Sequence, residues 1–318
     1  MASRLSRPAL LLLASNVFAV ERFEAVEPHM GSMVRIVAYA KDRSQARRAF
    51  EATFARVAEL DGILSDYKPD SELNRLCTAR SMIVSRDLFR VLESSQRLAE
   101  ESDGAFDITA GPLIRLWREV RRTRVLPDPQ LIEAARSRTG WRKLTLDPAL
   151  RRASLAAHEM QLDVGGIAKG YVADEALKIL ERNGIRSALV AASGDIAVSG
   201  PPTGKRGWDV TLELLGGTRD IELCNAAVST AGDTGQFVEI DGLRYSHILD
   251  PSTGMALTRR IAVSVVAPTG LEADGLDTAI SVLGPTRGLA LMKGHPKAKA
   301  LIVTESGVFS TPGGLDRR

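Results

Sequence analysis

The sequence contains few cysteines. Cys77 and Cys224 are the two thiols among 318 residues. Two cysteines are too few for a disulfide framework, and their wide separation excludes a CxxC metal site. We expect both side chains to be buried, reduced thiols.

Neither sign of charge dominates the chain, and aromatic residues are scarce. There are 42 basic and 39 acidic side chains, a formal net charge of +3, and 5% of the residues are aromatic. The densest basic cluster has no aromatic side chains interleaved with it, so we interpret it as a solvated helix end and predict no nucleic-acid partner. That cluster comprises Arg118, Arg121, Arg122 and Arg124.

The sequence also lacks an apolar run long enough to cross a membrane in the mature chain. Residues 9–14 are apolar but too few to span a bilayer. They follow Arg4 and Arg7 and precede Val17-Phe18-Ala19, which fits the small-x-small rule of signal cleavage. We therefore expect residues 1–21 to be a signal peptide, which implies export to the periplasm, or else a disordered N-terminus of a cytoplasmic protein.

Hydrophobic periodicity predicts a single α+β domain over residues 22–318. Hydrophobic residues make up 44% of the chain, enough for a substantial core, and no internal repeat or linker interrupts the pattern. The predicted helices are 44–60, 88–99, 168–180 and 272–283. The predicted strands are 34–39, 187–191, 208–212, 220–223, 236–240 and a final strand at 261–266, together with a meander of three short strands at 143–146, 152–155 and 160–163. We predict a mixed, largely antiparallel sheet packed with helices.

A glycine turn between a strand and a helix stands near the middle of the chain. Asp163 precedes Gly165-Gly166, and Lys169 follows in the first turn of the predicted helix. Helix N–H groups, a flexible turn and a lysine suit a phosphate group. A turn of this kind is also common as a purely structural connection in α/β proteins.

Three other segments carry polar groups that suit either a ligand or a turn. Tyr67 stands just before a helix that Ser71 can cap, so its ring could stack on a flat ligand. Residues 103–112 combine two acids, a threonine and two glycines. His247 lies in a predicted strand, where a histidine is either structural or a proton acceptor.

Acidic residues recur at helical spacing near the start of the last predicted helix. Asp274, Asp277 and Thr278 stand at i, i+3 and i+4, so their oxygens share one face of the helix. Hard oxygen ligands in that arrangement suit Mg²⁺. The alternative is that the acids cap the helix and oppose its dipole.

Taken together and in this order, these segments resemble the FAD:protein FMN transferase (ApbE) family. The resemblance covers nearly the whole chain after residue 21. The matching segments are 30–32, 67–74, 103–112, 162–171, 193–195, 229–232, 247–254 and 274–279. Where the family commonly has Gly-Gly-Asp, this chain has Ser193-Gly194-Asp195, which adds a hydroxymethyl group where backbone approaches a ligand.

The resemblance implies an ApbE-like single domain and a defined reaction. The family moves the FMN half of FAD onto a threonine or serine hydroxyl of a target flavoprotein and releases AMP, with Mg²⁺ required. The implied FAD contacts are Met30, Tyr67, Ala105, Phe106, Asp107, Asp163, Lys169, His247 and Ile248. The implied metal ligands are a backbone oxygen near Gly166 and the side chains of Asp274, Asp277 and Thr278. Lys169 would neutralise the pyrophosphate, and His247 would deprotonate the incoming hydroxyl or orient the group that does.

Two alternatives use the same residues. In the first, water accepts the phosphoryl group, and the protein is a metal-dependent FAD pyrophosphatase that yields FMN and AMP. In the second, the protein binds flavin without turnover. A metal at the cleaved bond is unnecessary for simple binding, so Lys169 and the acids at 274 and 277 favour catalysis.

Overall fold

The computed structural model describes residues 20–232 and 236–315. Seven α-helices lie in these residues: α1 (Arg43–Leu64), α2 (Glu72–Ala79), α3 (Arg86–Glu101), α4 (Gly111–Thr123), α5 (Pro129–Ser137), α6 (Ala168–Arg182) and α7 (Gly270–Leu291). The strands before α6 are β1 (Glu21–His29), β2 (Ser32–Ala40), β3 (Ser81–Ile83), β4 (Leu144–Asp147) and β5 (Arg152–Leu155). The strands after it are β6 (Ser187–Ala192), β7 (Asp195–Val198), β8 (Trp208–Leu214), β9 (Gly217–Leu223), β10 (Ala226–Gly232), β11 (Phe237–Ile240), β12 (Leu243–Ser246), β13 (Leu249–Asp250), β14 (Met255–Ala256), β15 (Ile261–Ala267), β16 (Lys299–Thr304) and β17 (Gly307–Ser310).

An eight-stranded antiparallel sheet forms the centre of the molecule. Its strand order is β1-β2-β6-β7-β10-β15-β16-β17, and each neighbouring pair runs antiparallel. Successive residues of a strand face opposite sides of a sheet. Ile36 accordingly packs in the main core with α1 and α6, whereas Val37 packs on the other face against the β8–β9 hairpin. The predicted α+β class with a largely antiparallel sheet is confirmed.

Helix predictions agree with the structure where the apolar spacing is regular. The segments 44–60, 88–99 and 168–180 lie within α1, α3 and α6. The predicted helix at 272–283 is the first part of α7, which breaks at Gly284, where φ is 74° and ψ is 178°, just before Pro285. Proline disfavours helical backbone in the residue before it, which explains why the regular helix ends there.

Three strand predictions are wrong. Residues 160–163 are not a strand: Leu162 N–H donates to Cys77 Sγ at 3.3 Å and Asp163 N–H to the Ile108 carbonyl at 2.8 Å, so their backbone pairs with a thiol and a loop. The third strand of that small sheet is β3. Strand β15 is not the last, because β16 and β17 extend the sheet beyond it. His247 lies between β12 and β13 rather than in a strand.

The thiols differ in exposure. Cys77 is buried, as predicted, but Cys224 is exposed. Cys224 follows β9 in the loop leading to β10, outside the packed face of the hairpin. The prediction that both are buried is therefore wrong for Cys224.

The N-terminal segment predicted as 1–21 lies outside the described residues apart from its last two, and β1 begins at Glu21. Within residues 20–232 and 236–315, no helix has both the length and the apolar character needed to cross a membrane.

Candidate active site

A buried cluster of three aspartates surrounds one lysine where α6, β7 and α7 meet. Lys169, in the first turn of α6, lies 2.5 Å from Asp195 at the start of β7. Asp274 of α7 accepts a hydrogen bond from the Gly170 N–H at 2.9 Å. Asp195, Asp274 and Asp277 are each at most 3% exposed. Two of the predicted metal ligands and the predicted pyrophosphate contact thus lie in one contiguous cluster.

Ser229 of β10 links two of these carboxylates. Its hydroxyl lies 2.6 Å from Asp195 Oδ1 and 2.5 Å from Asp277 Oδ2. A serine hydroxyl has a single hydrogen to donate, so it can donate to only one of two ionised carboxylates. The second short contact therefore requires a proton on one of the two carboxyl groups. Otherwise, a cation must bind one of the carboxylates in place of the serine hydroxyl.

Glycines bring the start of α6 against α7. A Cβ on Gly166 would lie 2.9 Å from Thr278 Oγ1, and a Cβ on Gly170 would lie 2.0 Å from the Gly270 carbonyl oxygen. Real Cβ atoms do not approach other atoms so closely, so a side chain at position 166 would displace the Thr278 side chain, and one at position 170 would push the backbone of α7 away. This close approach places the backbone near Gly166 next to Thr278, as the predicted metal site requires.

Burial controls the charges in the cluster. Burial, with repulsion from Asp195, raises the pKa of Asp274 to about 7. Burial, with repulsion from Asp274 and Asp195, raises the pKa of Asp277 well above its usual range. Burial opposes the charge on Lys169, but Asp274 and Asp195 outweigh it and raise the pKa of Lys169 above its usual value. Lys169 therefore stays protonated and can donate hydrogen bonds but cannot accept a proton.

The donor set fits the predicted Mg²⁺. In the described residues, no three His, Cys, Asp or Glu side chains form a ready-made ligand cluster, and Asp195 is paired with Lys169. The remaining donors are the carboxylates of Asp274 and Asp277, the Thr278 hydroxyl and the nearby backbone oxygen, all of them hard oxygens. Three ionised aspartates and one lysine would leave two uncompensated negative charges in a buried site, which is the charge a divalent cation supplies.

A second group of charges centres on Arg118 of α4. Its guanidinium lies 2.7 Å from Asp163 Oδ2, also pairs with Asp66, and sits 4.3 Å from the centre of the Tyr67 ring. The Asp163 side chain also accepts from the Gly165 N–H at 2.8 Å. The interpretation of Arg118 as part of a solvated helix end is wrong: α4 turns it toward two predicted FAD contacts. Arg122 and Arg124, by contrast, are exposed.

Tyr67 is the most accessible of the predicted FAD contacts. It is 72% exposed, and Ser71 caps the helix that follows, as predicted, by accepting from the Asn74 N–H at 3.1 Å. Arg118 lies over its ring, and the high exposure of the side chain leaves aromatic surface accessible to a ligand.

Other predicted contacts occupy the neighbouring loops. Ala105 and Ile248 pack in one small apolar cluster with Val282 of α7. Phe106 is 3% exposed and belongs to the main core, so its side chain supports the loop from within. Asp107 accepts from both the Thr109 N–H and hydroxyl, at 2.8 and 2.6 Å, which fixes the turn before α4.

The remaining two predicted residues lie at turns. Met30 stands at the β1–β2 turn with φ of 51° and packs against the main core. His247 Nδ1 lies 3.1 Å from the Gln236 carbonyl oxygen. A carbonyl can only accept, so Nδ1 carries the hydrogen in this contact and the neutral ring has its lone pair on Nε2.

Sequence reasoning missed four residues of these two groups as participants. They are Asp66, Arg118, Asp195 and Ser229. Asp195 and Ser229 stand in segments that carried the family resemblance, so their positions were marked but their partners were not. Nothing in the sequence marked Asp66 and Arg118 as partners, because 52 positions separate them and only the fold joins them.

Comparisons with known proteins agree with the resemblance. The model of the ApbE family matches residues 30–302. The FAD:protein FMN transferase of Klebsiella pneumoniae is 31% identical over 295 residues, which cover 89% of this chain and 84% of the relative. The FAD:protein FMN transferase of Treponema pallidum is 31% identical over 322 residues, covering 94% and 89%.

Solved structures show the same fold. The flavin transferase ApbE of Vibrio cholerae superposes with a TM-score of 0.83 at 28% identity, covering 92% of this chain and 97% of the other. The flavinyl transferase ApbE of Pseudomonas stutzeri gives a TM-score of 0.80 at 31% identity, covering 93% and 96%. With the family match extending over most of its length, this chain belongs to the ApbE family.

Proposed function

We propose that this chain is a Mg²⁺-dependent FAD:protein FMN transferase that moves FMN from FAD onto a threonine or serine hydroxyl of a target flavoprotein. The observation that carries the proposal is the buried cluster of Asp195, Asp274 and Asp277 around Lys169. The names of the relatives, which are transferases acting on FAD, supply the substrate and the enzyme class.

The acids hold the metal in this proposal. Asp274, Asp277, Thr278 and the backbone oxygen near Gly166 are its ligands. When bound, Mg²⁺ acts as a Lewis acid on the pyrophosphate oxygens. Lys169, held beside Asp195 and protonated, donates hydrogen bonds to the same pyrophosphate and keeps its charge through the reaction.

The group transfer needs one proton acceptor. The acceptor hydroxyl oxygen forms a bond to the phosphorus of the FMN half, and the bond from that phosphorus to the bridging oxygen breaks. AMP leaves with the bridging oxygen, and the hydroxyl proton passes to a base. His247 Nε2 is the proposed base, because the contact of Nδ1 with the Gln236 carbonyl leaves the lone pair on Nε2.

A mass measurement tests the proposal. A flavoprotein with an accessible threonine or serine, incubated with FAD, Mg²⁺ and this enzyme, should gain the mass of FMN and release an equal amount of AMP. FMN and AMP released at the same rate without any acceptor would identify a pyrophosphatase instead. No added mass on any acceptor tried, with FAD left intact, would contradict both.

Asp274→Asn tests the metal role. Loss of a metal ligand removes several kcal/mol of transition-state stabilisation, so transfer should fall by about a hundredfold or more, while FAD binding is partly retained. Glu272→Gln is the matched control, because Glu272 lies in the first turn of the same helix but contacts His295 instead of the cluster. Equal transfer by the Asp274 variant and the wild type would rule out the metal role.

A further inference from the structure

Arg118 connects two segments that the sequence separates widely. Its Nη2 contacts Asp163, which stands just before the Gly165-Gly166 turn, and its Nη1 contacts Asp66, next to Tyr67. The Arg118 side chain is 25% exposed, and those of Asp66 and Asp163 are 13% and 7% exposed. Ion pairs this well shielded from water are screened less by salt than surface pairs.

The guanidinium also covers one face of Tyr67. Arginine stacks on aromatic faces through its planar, delocalised charge, and the 4.3 Å separation from the ring centre is a cation–π distance. A tyrosine that is 72% exposed has little else to fix its ring. Arg118 therefore reduces the rotamer freedom that Tyr67 would lose when a flat ligand stacks on it.

The charges around Arg118 also favour a role in holding the ligand contacts in place. Without Arg118, the carboxylates of Asp66 and Asp163 would repel each other, and both would repel an anionic ligand. Burial and Asp66 already raise the pKa of Asp163, whereas Arg118 opposes that rise. One guanidinium with two forked donors serves both carboxylates and the ring at once, a geometry that a lysine ammonium cannot reproduce.

We propose that Arg118 is a positioning residue for FAD, holding the Tyr67 ring as a stacking platform for a flat ring of the substrate and fixing Asp163 beside it. This inference rests on the proposed function, because FAD is the ligand assigned there. It adds a residue to the site whose effect is on FAD affinity, exerted through Tyr67 and Asp163.

Equilibrium binding of FAD in the presence of Mg²⁺ and absence of acceptor tests the role directly. Arg118→Met should raise the dissociation constant by about tenfold, the size of one strong cation–π contact with its ion pair. Arg118→Lys keeps the charge but loses the forked pair of donors, so its dissociation constant should lie between those of the wild type and Arg118→Met. In the transfer assay, KM for FAD should rise with the dissociation constant while kcat changes by less than about twofold.

A double-mutant cycle separates the platform role from general destabilisation. If Arg118 acts through Tyr67, Arg118→Met should weaken FAD binding much less in a Tyr67→Leu background than in the wild type. Arg122→Met is the matched control, since Arg122 is on the same helix, exposed and paired with Glu119, and it should bind FAD as the wild type does.

The outcomes distinguish this inference from the proposed function. Unchanged FAD affinity in Arg118→Met overturns the role of Arg118, and an equal loss with and without Tyr67 overturns its role in holding the Tyr67 ring. Both results leave the transferase proposal standing. If Arg118→Met does not fold, Arg118→Lys decides: affinity equal to the wild type overturns the role, and a several-fold loss that disappears in Tyr67→Leu supports it. If Arg118 and Tyr67 are coupled in FAD binding as expected but no acceptor receives FMN, only the proposed function is contradicted.

Discussion

At the scale of single residues, Ser193 occupies a backbone conformation that suits glycine. Its φ is 61°, in the left-handed region, at the turn between β6 and β7. A residue with a Cβ in this region costs about 1–2 kcal/mol. The strain lies two residues before Asp195, which holds Lys169, so the turn that positions the cluster is itself strained.

Replacing Ser193 with glycine should stabilise the protein. Removing the Cβ relieves strain in the folded state, and this gain exceeds the entropic cost of the extra freedom that glycine has in the unfolded chain. The free energy of unfolding should therefore rise by about 0.5–1 kcal/mol. Denaturant unfolding measures the change. Ser193→Ala is the control: it removes the hydroxyl but keeps the Cβ, so its stability should match the wild type. A Ser193→Gly variant no more stable than Ser193→Ala would contradict the strain argument.

At the scale of elements, the site depends on how closely α6 approaches α7. The two helices meet with backbone against backbone at Gly170 and Gly270. The Asp174 side chain of α6 accepts from the Gly270 and Leu271 N–H groups at 2.7 and 3.0 Å, which caps the start of α7. These contacts set the position of Lys169 relative to Asp274.

Gly170→Ala should separate the helices and impair the site. The added Cβ would fall 2.0 Å from the Gly270 carbonyl oxygen, so α6 must move, at a cost of about 3 kcal/mol, the upper end for overpacking. Thermal unfolding and the transfer assay together measure the effect, and both should decline. The control is Gly62→Ala in α1, where no atom lies within 4 Å of the new Cβ; it should stabilise by up to about 1 kcal/mol. Gly170→Ala with wild-type stability and activity would show that the helices can separate freely.

At the scale of the whole molecule, the sheet has different layers on its two faces. Helices and the acidic cluster cover one face, and the β8–β9 hairpin closes the other around Trp208 and Val210. Because the acids of the helical layer are buried, the stability of the entire fold should depend on pH through them.

Asp174 should make the protein less stable as pH rises from about 4 to 6. Burial raises its pKa from 3.8 to about 6 in the folded chain, so over that interval the folded state binds the proton and the unfolded state does not. Stability contributed by this proton is full below the unfolded pKa and is lost by pH 7, amounting to about 3 kcal/mol. Asp174→Asn does not titrate there. The free energy of unfolding of wild type and variant, measured from pH 4 to 7, should therefore converge or cross, because the variant becomes more stable relative to the wild type as pH rises. Parallel pH dependences would disprove the raised pKa of Asp174.

What the sequence could predict depends on whether a residue's partners are local. Regular apolar spacing identified α1, α3 and α6, and the i, i+3, i+4 arrangement placed Asp274 and Asp277 on one face of α7. Their burial, which that spacing does not predict, comes from the packing of α7 on nearly all sides. Strand β1 is hard to recognise, because it is an edge strand exposed along most of its length and its alternation is short: Phe23 and Ala25 pack against the core, but the exposed Val26 breaks the pattern.

The charge partners in the site could not be derived in this way. Lys169 pairs with Asp195 across 26 positions, and Arg118 with Asp163 across 45. Such pairs result from how α4, α6 and β7 are brought together. In sequence, Arg118 resembles its exposed neighbours on α4. Composition alone therefore predicted that its side chain is solvated.

The difference in exposure between the two thiols provides a way to follow the protein in solution. Cys224 is exposed, whereas Cys77 is buried in the main core, and burial raises the pKa of its thiol. Because the thiolate is the reactive form, an alkylating reagent should modify Cys224 in the native protein and reach Cys77 only after the core opens. A fluorophore attached at position 224 would then report on the open end of the β8–β9 hairpin, where the chain leads into β10. The rate of Cys77 alkylation would report how often the main core opens.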